Sequence, residues 1–535
     1  MMSKKKIVYL FSFVAILLFS TNIALAKKQN RIWEKIDDSS MQMRSGERLV
    51  IPTAYTAFKL NKTALRETLS KAPMEFTDES RRTEIILNFP MPDGTFSRFR
   101  IEESPIMEAP LAAKFPEIKT YRGQGIDDPT ATVRFDLMPS GFHSMILSTN
   151  GTVMVDPYFK NETTNYISYY KRDVPKTEGF TCGVNEANSL ITQTEDFLPD
   201  VASPNVISGS TLRTYRLALA ATGEYTAAVG GGTVAGGLAA QVLIMNRVNG
   251  VYERDLAIRM IVVANNNLIV YTDGATDPYT NSSGTAMLTE NQTNLDNIIG
   301  AANYDIGHVF STGGGGVAGL RVPCGASKAR GVTGLPNPVG DPFAIDYVAH
   351  EMGHQWGGNH TFNGSTGSCA GGNRAAAAAY EPGSGITIMA YAGICGTQDL
   401  ALNSIDTFHV KSLEEIVAYS QTGNGNTCAV SASTGNTPPT VSVVGGTTFN
   451  IPKQTPFALT ASATDPNGDT LTFDWQQYDL GAATTAVPNN DADGIARPIL
   501  RPFLPSSSPT RNFPSLTYIL NNRNLPPSTI SCPPR

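Results

Sequence analysis

The chain has 535 residues, which at roughly 100–200 per domain implies about three folded units. With 41% hydrophobic and 16% charged residues it can bury real cores, so a wholly disordered chain is excluded. A formal charge of −6 leaves no basic surplus for nucleic-acid binding through bulk electrostatics, and 6 Cys in this length do not make a small disulfide-stapled scaffold.

Lys4, Lys5 and Lys6 form a positive start, Ile7–Ser20 is an uncharged apolar run, and Ala24-Leu25-Ala26 is a small-x-small cleavage site. Together they predict a secretory signal peptide over 1–26, and hence an exported, extracellular chain with no membrane span once mature. An uncleaved anchor is the alternative, for which the run is short. Residues 27–206 follow as a largely β domain. Arg82–Asn88, Ala131–Phe135 and Gly151–Val155 read as strands, and Pro92-Asp93-Gly94 as a turn. Gly183–Gly209 has no sustained period and is a linker candidate.

Residues 207–430 read as an α/β unit. Thr214–Ala220, Ile258–Val263 and Ile306–Phe310 are strand-like, and Leu268–Tyr271 extends a neighbour. Ala235–Val251, Met287–Gly300, Ala344–Gly353 and Ser412–Tyr419 have helical spacing. Residues 431–440 form a small-residue and proline linker. Over 441–535 the segments Thr440–Val444, Phe457–Thr464 and Thr470–Trp475 alternate like strands. They suggest an immunoglobulin-like or polycystic-kidney-disease-type β module, complete or cut short. Asp465, Asn467 and Asp469 offer oxygens to Ca²⁺ or simply make a hairpin turn, and the full calcium-loop pattern is missing.

Of 6 His, three lie in His350-Glu351-Met352-Gly353-His354-Gln355-Trp356-Gly357-Gly358-Asn359-His360. His350 and His354, four apart, share one helical face. Gly357 can take positive φ, end the helix and let His360 swing back. Three imidazoles with a fourth position open is the catalytic rather than the structural zinc arrangement. Such a zinc lowers the pKa of a bound water toward about 7, and Glu351 stands where it can take that water's proton and pass it to a leaving amine. His143, His308 and His409 read as packed or solvent histidines. A chance HExxH is the competing reading, which the extended spacing makes remote.

These residues resemble the metzincin clan of zinc endopeptidases. Gly385-Ile386-Thr387-Ile388-Met389-Ala390-Tyr391 is similar to that clan's Met-turn, with Met389 as a hydrophobic floor under the metal and Tyr391 as an additional ligand or a buried tyrosine. Ser210–Cys428 most resembles the reprolysin (adamalysin-like) family, M12B, in a bacterial secreted version. The supporting segments are Thr214–Tyr225, Asn246–Ile258, Asp305–Leu320 and Cys324–Val332. Thr361 departs from the family, where Asp usually follows the third His. The resemblance implies pairings Cys324–Cys428 and Cys369–Cys395. It also implies that Cys182, in Cys182-Gly183-Val184, is a zymogen zinc ligand, which would make 27–206 an inhibitory propeptide-like domain. A disulfide with Cys532 or a free thiol are the other readings of Cys182. A substrate peptide would add antiparallel to an edge strand near His308–Thr312, with Gly313–Gly316 as a flexible rim or only a long turn.

The expectation is therefore a multidomain secreted zinc metalloendopeptidase made as a zymogen. It would hold one catalytic Zn²⁺, act on protein or peptide substrates, bind no nucleic acid and be a monomer. The alternatives are a catalytically inactive adhesion or binding protein on the same fold, and a thermolysin-like exopeptidase whose third ligand is a distant glutamate.

Overall fold

Side chains of a β-strand alternate between faces, and the N-terminal strands are apolar on both. Val153 and Val155 face one core and Met154 another; Tyr166 faces the first core, Ile167 and Tyr169 the second; Gly141–Leu147 is buried along its whole length. A sheet so patterned must be covered twice. In the computed structural model, which describes residues 32–175, 182–184, 206–452, 455–485 and 497–520, it is. The antiparallel sheet runs Trp33–Lys35, Thr56–Leu60, Asn165–Tyr170, Val153–Pro157, Gly141–Leu147, Thr132–Met138, Lys119–Gly125, Phe96–Glu103, Ile86–Pro90. One face closes on helix Lys62–Leu69 through Leu65 and Leu69. The other lies on the long helix Val234–Leu256 of the next unit, where Asn246 Nδ2 donates to the Phe135 carbonyl at 3.0 Å. The strand expected over Arg82–Asn88 starts only at Ile86, because Asp78–Arg82 is a short helix whose first turn is capped by the Thr77 hydroxyl.

The second unit is built on Thr211–Ala221. This strand pairs in parallel with Ile258–Val262 on one side and Ile306–Ser311 on the other. Parallel neighbours need a crossover, which Val234–Leu256 and Gly284–Leu295 supply. Ile306–Ser311 pairs in turn with Gly331–Gly334, whose outer neighbour is the antiparallel strand Gly316–Ala318. The edge of the sheet is thus Gly316–Ala318. His308–Thr312, expected near the edge, is interior, because Gly331–Gly334 pairs with Val309–Ser311 and Gly316–Ala318 lies beyond it. Leu268–Tyr271 is mostly a single 3₁₀ turn, Asn266–Ile269, with one bridge from Val270 to Ala221. The segment expected to be a linker begins as a strand, Val430–Ser433, antiparallel to Thr211–Thr214. It occupies the flank that Ile306–Ser311 leaves open.

Among the described C-terminal residues, Thr440–Val443, Phe457–Thr464 and Thr510–Phe513 form one three-stranded antiparallel sheet, so no second sheet completes a sandwich there. Thr470–Trp475 contributes only the bridge Phe473–Ser506. The chain beyond it turns onto the second unit. Gln476 Oε1 accepts the Val410 N–H at 2.6 Å, the Tyr478 ring stacks on Tyr380 at 4.3 Å, and Thr484 bridges to Gly364. Among the described residues no single helix is long and apolar enough to cross a membrane. Residues 1–26 and Cys532 lie outside the described residues.

Candidate metal centre

Pro342 opens the helix that carries the motif, two residues earlier than the spacing predicts, since proline at the first turn needs no N–H partner. Pro342–Ala349 is wound wider than an α-helix and passes into α-helical His350–Gln355. Gly357 ends it at φ +99°, the left-handed side that glycine tolerates. Its N–H donates to the His354 carbonyl and that of Gly358 to the Gly353 carbonyl, both at 2.8 Å, so the last carbonyls are satisfied by the turn itself. The reversal returns His360 to within 4.5 Å of the His354 ring, centroid to centroid.

The three Nε2 atoms converge: His354 to His360 at 2.9 Å, His354 to His350 at 3.1 Å and His350 to His360 at 3.2 Å. Each Nδ1 lies against a backbone carbonyl, Ile388 at 2.7 Å, Gly358 at 2.7 Å and Asn373 at 2.5 Å. A carbonyl only accepts, so each Nδ1 carries the proton and each Nε2 presents a lone pair. Three lone pairs facing one another across about 3 Å repel unless a cation lies among them. The Cys182 thiol completes the cluster, its Sγ 3.6 Å from His360 Nε2 and 3.7 Å from His354 Nε2. Nitrogens held tetrahedrally at about 2.0–2.1 Å from zinc stand about 3.3 Å apart, and a sulfur at about 2.3 Å stands about 3.6 Å from each. The donor set therefore fits zinc in both chemistry and spacing. Burial, then the neighbouring imidazoles, holds His354 and His360 far below the usual histidine range, so they stay neutral.

Glu351 is fully buried on the same turn. Neither carboxylate oxygen has a hydrogen-bond partner of normal geometry, although the nearby Cys182 thiol favours its ionised form. Burial raises its pKa to about 8. Burial, then the Glu351 charge, raises that of the Cys182 thiol in turn. A divalent cation beside them would reverse both directions. Met389 lies under the helix: a methyl placed on Gly353 would stand 2.4 Å from its sulfur. The Tyr391 hydroxyl reaches the Cys182 carbonyl at 3.4 Å, and the ring lies 4.6 Å from that of His360.

Cys324 is bonded to Cys428 and Cys369 to Cys395, while Cys182 is the free, buried cysteine among the described residues. Cys182 bridges in parallel to Gly316, and the Gly183 N–H donates to the Gly316 carbonyl at 2.7 Å, so this segment lies on the sheet edge beside the histidines. The remaining histidines are structural. Buried His308 is held by Gln355 and Thr333, both at 2.8 Å, with its pKa lowered to about 4 by burial. His409 caps helix Val410–Gln421, and His143 pairs with Asp136. Asp465 Oδ1 accepts the N–H groups of Asn467 and Asp469, which makes a turn that needs no ion.

Two features escape sequence reasoning. The first is Glu381, which is fully buried behind the third histidine's neighbour Thr361. It accepts from the Thr361 hydroxyl at 2.6 Å and the Ile386 N–H at 2.8 Å, tying the chain after His360 to the Met389 loop. The second is a buried cluster around Lys171, whose ammonium ion-pairs with Asp341 at 2.8 Å, Asp346 at 2.9 Å and Asp406. No spacing relates these four.

A buried three-histidine centre with an adjacent glutamate, on a mixed α/β sheet, is the arrangement of a metal-dependent hydrolase. Residues 211–419, about two-fifths of the chain, match the family model for Metallo-peptidase family M12B Reprolysin-like, which supports a metallopeptidase of an M12B-like family for this unit. Among solved structures, the crystal structure of metalloproteinase-II from Bacteroides fragilis aligns over 55% of this chain and 85% of that chain, at 13% identity and a TM-score of 0.32, a likeness too weak to argue from. No curated protein matches.

Proposed function

We propose that the chain is a secreted zinc endopeptidase made as a zymogen, with His350, His354 and His360 as metal ligands, Glu351 as general base and Cys182 as the ligand that silences it. The convergence of three unprotonated Nε2 atoms beside a buried glutamate carries this reading. Zinc, when bound, supplies a Lewis acid that polarises a carbonyl and acidifies water. Glu351 takes the proton of the attacking water and delivers it to the leaving amine. Cys182 and Gly183 hold the position a substrate needs, between the imidazoles and the edge strand Gly316–Ala318. Tyr391, within reach of the Cys182 carbonyl, positions that segment rather than ligating the metal. Export is supported by the leader pattern of residues 1–26 and by two disulfides, which persist in oxidising compartments.

The test is zinc content together with casein hydrolysis. Wild type should hold one zinc and hydrolyse once its N-terminal unit has been degraded. Glu351→Gln should keep zinc and lose hydrolysis by at least about 100-fold. Cys182→Ala should raise activity of the full chain. Stoichiometric zinc without hydrolysis under any processing would instead indicate a binding protein on this fold.

A further inference from the structure

The Lys171 cluster is joined to the metal centre. A small slot is lined by Asp346, His350, Tyr391, Ala392, Ile394 and Ser404. Asp346 precedes His350 by four residues on the same helix, and both line the slot. Against two of these residues sits the ammonium of Lys171, a residue of the N-terminal unit, 2.9 Å from Asp346 Oδ1 and 3.3 Å from Ser404 Oγ. Ser404 Oγ itself donates to Asp346 Oδ1 at 2.5 Å. Asp341 and Asp406 complete the ring of carboxylates, and Asp341 Oδ1 is buried with no hydrogen-bond partner. Three carboxylates face one ammonium, and all three belong to the second unit. Without Lys171 this buried group of carboxylates would lose its ammonium beside a slot that a metal-ligand candidate, His350, also lines.

We propose that this slot is the substrate side-chain pocket, that Asp346 sets its specificity for lysine or arginine next to the scissile bond, and that Lys171 is an internal occupant standing where the substrate's basic side chain goes. The inference rests on the hydrolase reading above and names its substrate class: proteins cut beside a basic residue. A buried carboxylate left unpaired is costly, which turns the absence of a cation in the substrate into discrimination against it. An apolar side chain of the same length would leave these buried carboxylates without a counter-charge.

The experiment uses the zinc-loaded full chain carrying Lys171→Ala and Cys182→Ala, which empties the slot and frees the metal-facing position. A peptide library is digested and its cleavage sites are read by mass spectrometry. The best peptide is then compared with its norleucine analogue at the flanking position. Lysine or arginine should recur at one fixed position beside the cut, and kcat/KM should exceed that of the norleucine peptide by at least about tenfold. Asp346→Asn should reduce that ratio to within about twofold. No basic preference, or a preference that survives Asp346→Asn, overturns the proposal. In parallel, the two peptides are titrated into the same chain bearing Glu351→Gln. Preferential binding of the lysine peptide without any hydrolysis by the Glu351 form sinks the hydrolase reading and leaves the pocket standing. Equal binding, or none, overturns the pocket.

Discussion

Glu381 shows how much of this centre depends on a residue that ligates nothing. It is fully buried, and its oxygens collect the hydroxyls of Thr361 and Thr387 and the N–H groups of Ile386 and Thr387. Glu381→Gln would turn an amide N–H toward those donors. It should lower stability by about 1–3 kcal/mol, read as a shifted urea midpoint, and weaken zinc roughly 10–100-fold in chelator competition; unchanged zinc affinity would show that the brace does not reach His360. Asp341 carries a pH signature of its own. Burial first, and then its carboxylate neighbours Asp406 and Asp346, push it up to about 7 against the pull of Lys171. A carboxyl whose folded pKa exceeds its unfolded value of 3.8 binds its proton better when folded, so its contribution falls as pH rises from about 4 to about 7. The raised Lys171 pKa matters only above its usual 10.5, outside that window. Asp341→Asn, which imitates the neutral acid, should therefore gain melting temperature relative to wild type as pH is raised through the window; a flat or falling difference would contradict this. The metal ligands were legible because four residues make one helical turn, whereas Lys171, Asp341, Asp346 and Asp406 meet only through tertiary packing.

The helix and its bend are local physics, which is why the motif could be read as geometry before any fold was known. Gly357 is the element's hinge point: φ is +99°, and a Cβ there would stand 2.8 Å from Arg321 Cγ. Gly357→Ala should cost about 1–3 kcal/mol and, by displacing His360, lower zinc affinity as well. Gly231→Ala is the control. Its φ is +61° with nothing within 4 Å of a new Cβ, so it shares the backbone penalty without touching the centre. Equal zinc affinity in the two variants would show that His360 does not depend on the bend. The sheet edge was not legible for a related reason. Gly316–Ala318 and Gly331–Gly334 are strands rich in glycine, which strand propensity does not mark. Gly334 is there because Gly313 O would lie 1.9 Å from any Cβ. The four glycines of 313–316 read as a rim because their reason, close approach of two backbones, appears only after pairing.

At the scale of the molecule, the N-terminal unit grips both edges of the second unit's sheet. Ile106–Glu108 pairs with Val262 at one edge, with bonds of 2.8 Å each way, and Cys182–Gly183 pairs with Gly316 at the other. Between them run buried pairs of opposite charge, Arg247 with Asp156 at 2.6 Å, Arg259 with Glu75 at 2.7 Å, Arg134 with Glu253, and the Lys171 cluster. The doubly apolar strands made a covered sheet legible, but not what covers it. These contacts do not run through residues 185–205. Cutting there should therefore leave the two parts together. Buried pairs are screened little by salt, and breaking one of them costs about 3–5 kcal/mol, so the cut chain should co-elute as a single species in size exclusion even at high salt, and remain latent. The check is a site-specific protease sequence placed within 185–205, followed by chromatography and casein hydrolysis before and after cleavage. Activity should appear only when the N-terminal part is itself degraded, or when Lys171→Ala weakens its hold. Spontaneous separation with full activity on cleavage alone would mean that covalent connection, and not this interface, maintains latency.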